Sequence, residues 1–275
     1  MHDVVILVQA RLGSTRFPGK ILAPFMGIPM LAYQVRQLRQ SGYRVRVLMP
    51  AGDLSADDSS MEQLLLNHHV PCIANFVCPG DVLGRFARHA EEHLTPGTVI
   101  VRACGDCPLL AVDLLPWLFD VWDETPGLAY LGMGPGWPDG LADYDLFTRE
   151  VLLQMDAEVT IPSDREHVVP WLWRSPDRFP QTIYPAPGWV RARQWPKLSV
   201  DTPEDLAYVE RVAFRTWQVF GAKYTWEDVL TVLQNEPYLQ RAPEPMNAAY
   251  VAQVAQEKGC EGLTWEGVRY RGEDE

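Results

Sequence analysis

Residues 4–20 read VVILVQARLGSTRFPGK. The apolar run at residues 4–8 has no polar alternation, the pattern of a strand buried on both faces of a parallel sheet. The loop leaving it carries Arg11, Arg16 and Lys20 at spacings of five and four residues, with Ser14 and Thr15 as hydroxyl donors. In open α/β sheets ligands bind beyond the carboxyl ends of the strands, which is where this loop starts. Gly13 and Gly19 permit turns that a Cβ would oppose, so backbone N–H groups can face inward. Such a set can surround a polyphosphate, the guanidinium forks gripping paired oxygens and the ammonium acting as a point charge. A solvated basic loop is the bland alternative. The loop is not a Walker motif, because Ile21 follows Lys20 where Ser or Thr is needed, and it is not G-x-G-x-x-G.

Outward from this loop, helix and strand patterns alternate. A helix is expected over residues 30–40, with Leu31, Val35 and Leu38 on one face and Gly42 as its stop. Strands follow over 44–49 and, more weakly, 72–77, with a helix between them running to residue 66 from a capping box of Ser60 and Gln63. Residues 82–94 read as a helix and 98–103 as a strand ending at Cys104-Gly105-Asp106. This βαβ spacing to about residue 125 indicates an α/β fold with a largely parallel sheet. Residues 127–140, rich in Gly, Pro and aromatics, read as an irregular excursion, and 197–200 as a returning strand. Thr202-Pro203-Glu204-Asp205 opens a helix with Pro at its first position, and Thr225 with Asp228 caps another to about residue 234. The tail is acidic and Pro-punctuated, with one short helix expected at 247–258. The expected division is a domain over 1–236 and an acidic extension over 237–275.

The 275 residues are 47% hydrophobic and 22% charged, ordinary globular usage that excludes wholesale disorder. No apolar run is long enough to span a bilayer, and Met1-His2-Asp3 has no basic region of a secretory signal. The net charge of -12 argues against a general nucleic-acid surface. That charge is uneven: residues 1–50 carry seven cations against Asp3 alone, a local +6 against -18 elsewhere. A basic start on an acidic protein suggests a local anion site. Arg36, Arg39, Arg44 and Arg46 fall on the next helix and strand and read as solvated.

Five cysteines, an odd number in a chain too long to need staples, fit a reducing, cytoplasmic setting. Cys104-Gly105-Asp106-Cys107 spells C-x-x-C, which allows a redox pair, half a zinc site, or two small thiols flanking Asp106. Asp106 and Asp201 each follow a predicted apolar strand at the ligand edge. Thr202 can cap the following helix, which leaves Asp201 available for a metal.

Several blocks together resemble the SpsF-type proteins of spore coat polysaccharide biosynthesis, relatives of CMP-KDO synthetase and other sugar cytidylyltransferases. Residues 9–22 match that family's Q-A-R-x-G-S-T-R-x-P-G-K-x-L. Asp81-Val82-Leu83-Gly84-Arg85-Phe86 resembles D-V-L-x-R-[FY], and residues 102–109 resemble R-x-x-G-D-C-P-L. Arg165-Glu166-His167-Val168 matches R-E-H-V, and residues 200–206 match V-D-T-P-E-D-L. The ordered set spans about residues 3–215. The first cysteine of the C-x-x-C is variable in the family, so the resemblance does not carry a dithiol.

The resemblance implies a three-layer nucleotide-diphospho-sugar transferase-like fold and transfer of CMP from CTP to a sugar or sugar-acid hydroxyl, with loss of pyrophosphate. It implies Mg2+ on Asp106 and Asp201, triphosphate contacts from Arg11, Arg16 and Lys20, and nucleotide contacts from Ala10, Gly13, Ser14, Asp81, Arg85 and Arg102. For Arg85 a solvated helix face is an equal alternative. Residues 138–147 resemble the family's G-L-D-V-E-V-F with one residue inserted and Asp145 in place of Glu. Asp143, Asp145, Arg165, Glu166 and His167 are thereby expected at the acceptor, His167 as contact, base or hydrogen-bonded structural residue. Trp137, Trp171, Trp173 and Trp189 would line a sugar-sized cleft, or simply the core. The expected partners are CTP and a small sugar-type acceptor, without nucleic acid or membrane, and a homodimer stays open. The rival readings are a glycosyltransferase using the D-x-D of Asp143-Tyr144-Asp145 as metal motif, a non-catalytic nucleotide-binding protein, and a redox protein.

Overall fold

A computed structural model of the chain describes residues 3–50, 64–75, 78 and 80–242. The run at residues 4–8 forms β1 (Val4–Gln9), which lies at the centre of a parallel group. It pairs on one side with β2 (Arg44–Pro50), itself paired with β3 (Cys72–Asn75), and on the other with β4 (Val99–Cys104). Beyond β4 the direction reverses: β6 (Asp145–Thr148) runs antiparallel to both β4 and β5 (Tyr130–Met133), and β7 (Gln181–Tyr184) runs parallel to β5. The sheet order is β3-β2-β1-β4-β6-β5-β7. The α/β class and mostly parallel sheet therefore stand.

Alternate side chains of each strand feed two cores, because successive Cβ atoms point to opposite faces. Ile6, Val8, Val45 and Val47 pack with α1 (Met30–Leu38), α3 (Leu115–Glu124), α8 (Pro203–Phe220) and α9 (Trp226–Asn235). Val5, Leu7 and Leu48 pack on the other face with α2 (Val82–His93) and α4 (Arg149–Glu158). The result is three layers around one sheet, with the short helices α6 (Pro170–Trp173) and α7 (Gly188–Arg191) preceding α8 in the chain.

Two expectations are corrected. The segment 127–140 is not wholly irregular, since it contains β5, whose Tyr130 and Leu131 are buried. Residues 197–200 do not form a strand. Leu198 N–H donates to Asp139 O and Val200 N–H to Asp106 O, at 2.7 and 2.8 Å, so the segment is pinned at two points to loops rather than laddered to a strand. The expected caps at Thr202 and Thr225 are present as full capping boxes with Asp205 and Asp228. Ser60, Gln63 and the helix expected at 247–258 lie outside the described residues. At the other end of the predicted division, residues 237–242 pack on α8: Tyr208 Oη donates to Leu239 O, and Arg241 pairs with Asp205. Among the described residues no helix is long and apolar enough to cross a membrane.

Candidate active site

The loop after β1 folds on its own backbone: Ser14 and Gly19 N–H both donate to Leu12 O, at 2.8 and 3.0 Å. Gly19 has φ of 71°, a left-handed conformation that a side chain would strain. It delivers Lys20 into a single helical turn, Lys20–Leu22. Gly13 needs no such freedom; it is exposed and its Cβ position is open, so that part of the glycine argument is corrected.

Lys20 is 7% exposed, and its Nζ donates to Asp106 Oδ2 at 2.8 Å, Val200 O at 2.6 Å and Asp201 Oδ1 at 3.3 Å. Its three donors are all used. Burial alone would lower its pKa, but the charges of Asp106 and Asp201 prevail and raise it. Asp106 reaches this point through Gly105, whose N–H donates to Gln9 O; a Cβ there would lie 2.7 Å from that carbonyl, so the β1–β4 closure requires glycine. Asp201 also pairs with Arg16 at 2.9 Å and with Lys197 at 2.6 Å. Burial would raise its carboxyl, yet the Lys197 hydrogen bond and the Lys20, Lys197 and Arg16 charges hold it below its usual range. Arg11 pairs with Glu166 at 3.2 Å. All three loop cations are thus engaged by carboxylates.

A cavity of about 340 Å3 is lined by this loop, with Arg85, Arg102, Asp106 and Asp201. A second, of about 720 Å3, shares Arg16, Arg102, Cys104, Asp139, His167 and Asp201 with it. Ala10 and Ser14 line the first, and Asp143 and Asp145 the second. Arg85 is 1% exposed, so the solvated-face alternative is corrected. His167, the last residue of helix α5 (Pro162–His167), lines both. Burial lowers its pKa, more than Glu166 restores, so its imidazole is neutral at pH 7. The next residue, Val168, is fully buried at φ of 70°, a costly conformation for a β-branched side chain that marks backbone strain beside the cleft.

The larger cavity rests on a buried polar chain. Trp173 Nε1 donates to Tyr130 Oη at 2.9 Å, Tyr130 Oη donates to Asp145 Oδ1 at 2.6 Å, and Arg102 holds Asp145 Oδ2 at 2.6 Å. Arg102 also donates to Gln9 Oε1 from Nε and Nη2, at 3.1 and 2.9 Å. Asp145 is buried, with its two oxygens held by Arg102 and Tyr130, whereas Asp106 and Asp201 are partly exposed; this argues against Asp143-Tyr144-Asp145 as a D-x-D metal motif. Asp143 accepts from Gly140 N–H at 2.7 Å. Its carboxyl is pushed up to about 7 by burial and by the Asp139 charge.

Other expectations move. Asp81 caps α2 through Gly84 N–H and binds Arg165 at 2.8 and 3.0 Å, and Arg165 also holds Asp156 Oδ1 and the Val159 carbonyl. The pair braces α2 against the α4–α5 connection, and neither residue lines the two cavities. Trp137 and Trp173 line the larger cavity, together with Trp195, which the sequence reading missed; Trp171 packs on Phe179 and Trp189 on Trp226. Lys197 was also missed as a site residue, although its place four residues before Asp201 is a signal for the pair. Burial pushes Cys104 up to about 12 and Cys107 well above its usual value, so neither is a thiolate at pH 7 and the redox reading falls.

Among the described residues no group of three or more His, Cys, Asp or Glu could hold a metal. Asp106 and Asp201 offer two partly exposed, hard carboxylates on separate segments. That donor set fits Mg2+, which keeps water and takes phosphate oxygens as further ligands, and does not fit a closed structural site.

The family profile described as Cytidylyltransferase matches residues 5–127. The chain is 26% identical over 248 residues to the spore coat polysaccharide biosynthesis protein SpsF of Bacillus subtilis, covering 86% of this chain and 96% of that one. It is 31% identical over 114 residues to the 3-deoxy-manno-octulosonate cytidylyltransferase of Dichelobacter nodosus, covering 41% and 44%. Among solved structures, a cytidylyltransferase from Leptospira borgpetersenii superposes with a TM-score of 0.76 at 25% identity, covering 90% of this chain and all of that one.

Proposed function

We infer that this chain is a cytidylyltransferase, a cytoplasmic enzyme transferring CMP from CTP to a hydroxyl of a sugar or sugar acid in polysaccharide biosynthesis; the profile match over residues 5–127 and the likeness to SpsF support this reading. The observation that carries this reading is the convergence of Asp106 and Asp201 on Lys20 Nζ, at the junction of a loop-lined and an aromatic-lined cavity. The loop-lined cavity takes the nucleotide, with Ala10, Ser14, Arg85 and Arg102 as its walls. The aromatic one takes the acceptor against Trp137, Trp173 and Trp195.

In the reaction the acceptor oxygen bonds to the α-phosphorus as the bond to the β-phosphate oxygen breaks and pyrophosphate leaves. Asp106 and Asp201 are the residues that would hold Mg2+, whose chemistry is to neutralise phosphate charge. Arg11, Arg16 and Lys20 supply positive charge to the departing pyrophosphate. His167, neutral at the junction, accepts the hydroxyl proton. Asp145, held by Arg102 and Tyr130, and Asp143 orient the acceptor hydroxyls. Glu166 keeps Arg11 at the cavity wall.

The test is pyrophosphate release from each of the four NTPs with Mg2+ and a panel of sugars and sugar acids. Release with CTP and one acceptor class, lost in Asp106→Asn and Asp201→Asn, is expected. Release of a nucleoside diphosphate from a sugar nucleotide instead overturns the reading.

A further inference from the structure

The +6 surplus of the first fifty residues is only partly used by the loop after β1. Arg44 and Arg46 alternate with Val45 and Val47 along β2. With Val45 and Val47 in the core on one face, both arginines project to the α2 face. There they meet His89 and His93, one turn apart at the end of α2 with ring centroids 4.9 Å apart. With Ile73 and Leu94 these four basic side chains line a cavity of about 200 Å3. It lies at the starts of the strands, where Val5 pairs with Arg44, on the edge opposite the loop after Gln9.

His89 is 3% exposed, and its Nδ1 has no hydrogen-bond partner. A buried polar atom left unpaired costs about 1–3 kcal/mol, so the position calls for a partner. The nearby acids are already engaged: Asp3 with Arg44 at 2.6 Å and with Thr98, and Glu92 with Arg88 at 3.0 Å and His93 at 3.7 Å. Arg46 has no carboxylate partner among the described residues; its Nη1 donates only to Val45 O, at 3.0 Å.

We propose that this cavity binds a phosphate group, held by the Arg46 guanidinium and His93 with His89 Nδ1–H as the buried donor. The volume admits one phosphate with a few waters of about 30 Å3 each, but not a nucleotide. Burial, together with the His93, Arg46 and Arg44 charges that Glu92 only partly offsets, holds His89 near pKa 4. A bound anion reverses the sign of that local field. The proposal is independent of the cytidylyl reading, because its residues touch neither cavity of the active site.

The experiment follows the imidazole NMR signals of the full chain during titration with inorganic phosphate at constant ionic strength, and separately with methyl phosphate. Saturable shifts of His89 and His93 are expected with either probe, with a rise in the His89 pKa. Tighter binding of methyl phosphate identifies a monoester as the ligand, and tighter inorganic phosphate the free ion. Arg46→Gln should weaken the dissociation constant about tenfold, the loss of one charge-assisted hydrogen bond, while leaving pyrophosphate release unchanged. His93→Gln gives the same reading should Arg46→Gln fold poorly. Absence of a saturable His89 shift, or unchanged affinity in both variants, overturns the proposal.

Discussion

Lys20 Nζ lies 2.8 Å from Asp106 Oδ2 and 3.3 Å from Asp201 Oδ1. Removing this ammonium leaves two facing carboxylates without their shared counter-charge. Lys20→Met should therefore lower stability by about 2–3 kcal/mol, below the 3–5 typical of fully buried pairs because both carboxylates are partly exposed. It should also reduce pyrophosphate release by about a hundredfold or more. The double variant with Asp106→Asn should regain most of the melting temperature and none of the activity, which separates the two roles.

Histidine burial sets the acid limb of stability. The folded pKa of His89 is near 4 against 6.5 for the free side chain, so between these values the unfolded chain binds the extra proton. Stability should rise from pH 4 to about 6.5 and be complete above it, with His167 acting in the same direction. Urea unfolding across that range should show this slope flattened in His89→Gln.

The larger cavity should change charge near neutrality, since Asp143 is pushed up to about 7 by burial and by Asp139. Asp139→Asn removes the second cause and should lower the Asp143 carboxyl, while burial keeps it above the ordinary carboxylate range. A carboxyl-carbon NMR titration reads this directly, and the KM for the acceptor should lose its pH dependence around 7.

Asp81→Ala and Arg165→Gln should act on the fold rather than on the chemistry. The first removes a helix cap and one side of a bidentate pair, costing about 1–2 kcal/mol. Both should lower the melting temperature while leaving kcat within about twofold. A hundredfold loss of kcat at unchanged stability would return the pair to the nucleotide site.

The central strand, the basic loop after it and the capping boxes are legible in sequence because each is a local pattern: an unbroken apolar run, spaced cations, Thr with an acid three residues on. What escaped is what distant segments decide. Tyr130–Met133 is a strand despite lying between glycines and prolines, because β6 and β7 pair with it on both edges. Residues 197–200 alternate like a strand, but the N–H groups of Leu198 and Val200 donate to the loop carbonyls of Asp139 and Asp106 rather than to a neighbouring strand. Arg85 sits on a helix with charged neighbours, and only the position of α2 over Leu48 shows that it is buried. The resemblance also placed Arg165 with Glu166 and His167, whereas its guanidinium holds Asp81, 84 residues back, together with Asp156 and the Val159 carbonyl.

The pairing of Arg11, Arg16 and Lys20 with Glu166, Asp201 and Asp106 means that the loop-lined cavity carries its own counter-ions. A highly charged substrate arriving there meets a nearly neutral surface and must exchange places with carboxylates already in contact. Association should then be only weakly accelerated by lowering the ionic strength, unlike electrostatically steered encounters. Under the proposed function, selection of a triphosphate is consequently a matter of partner exchange at contact distance, not of attraction from afar.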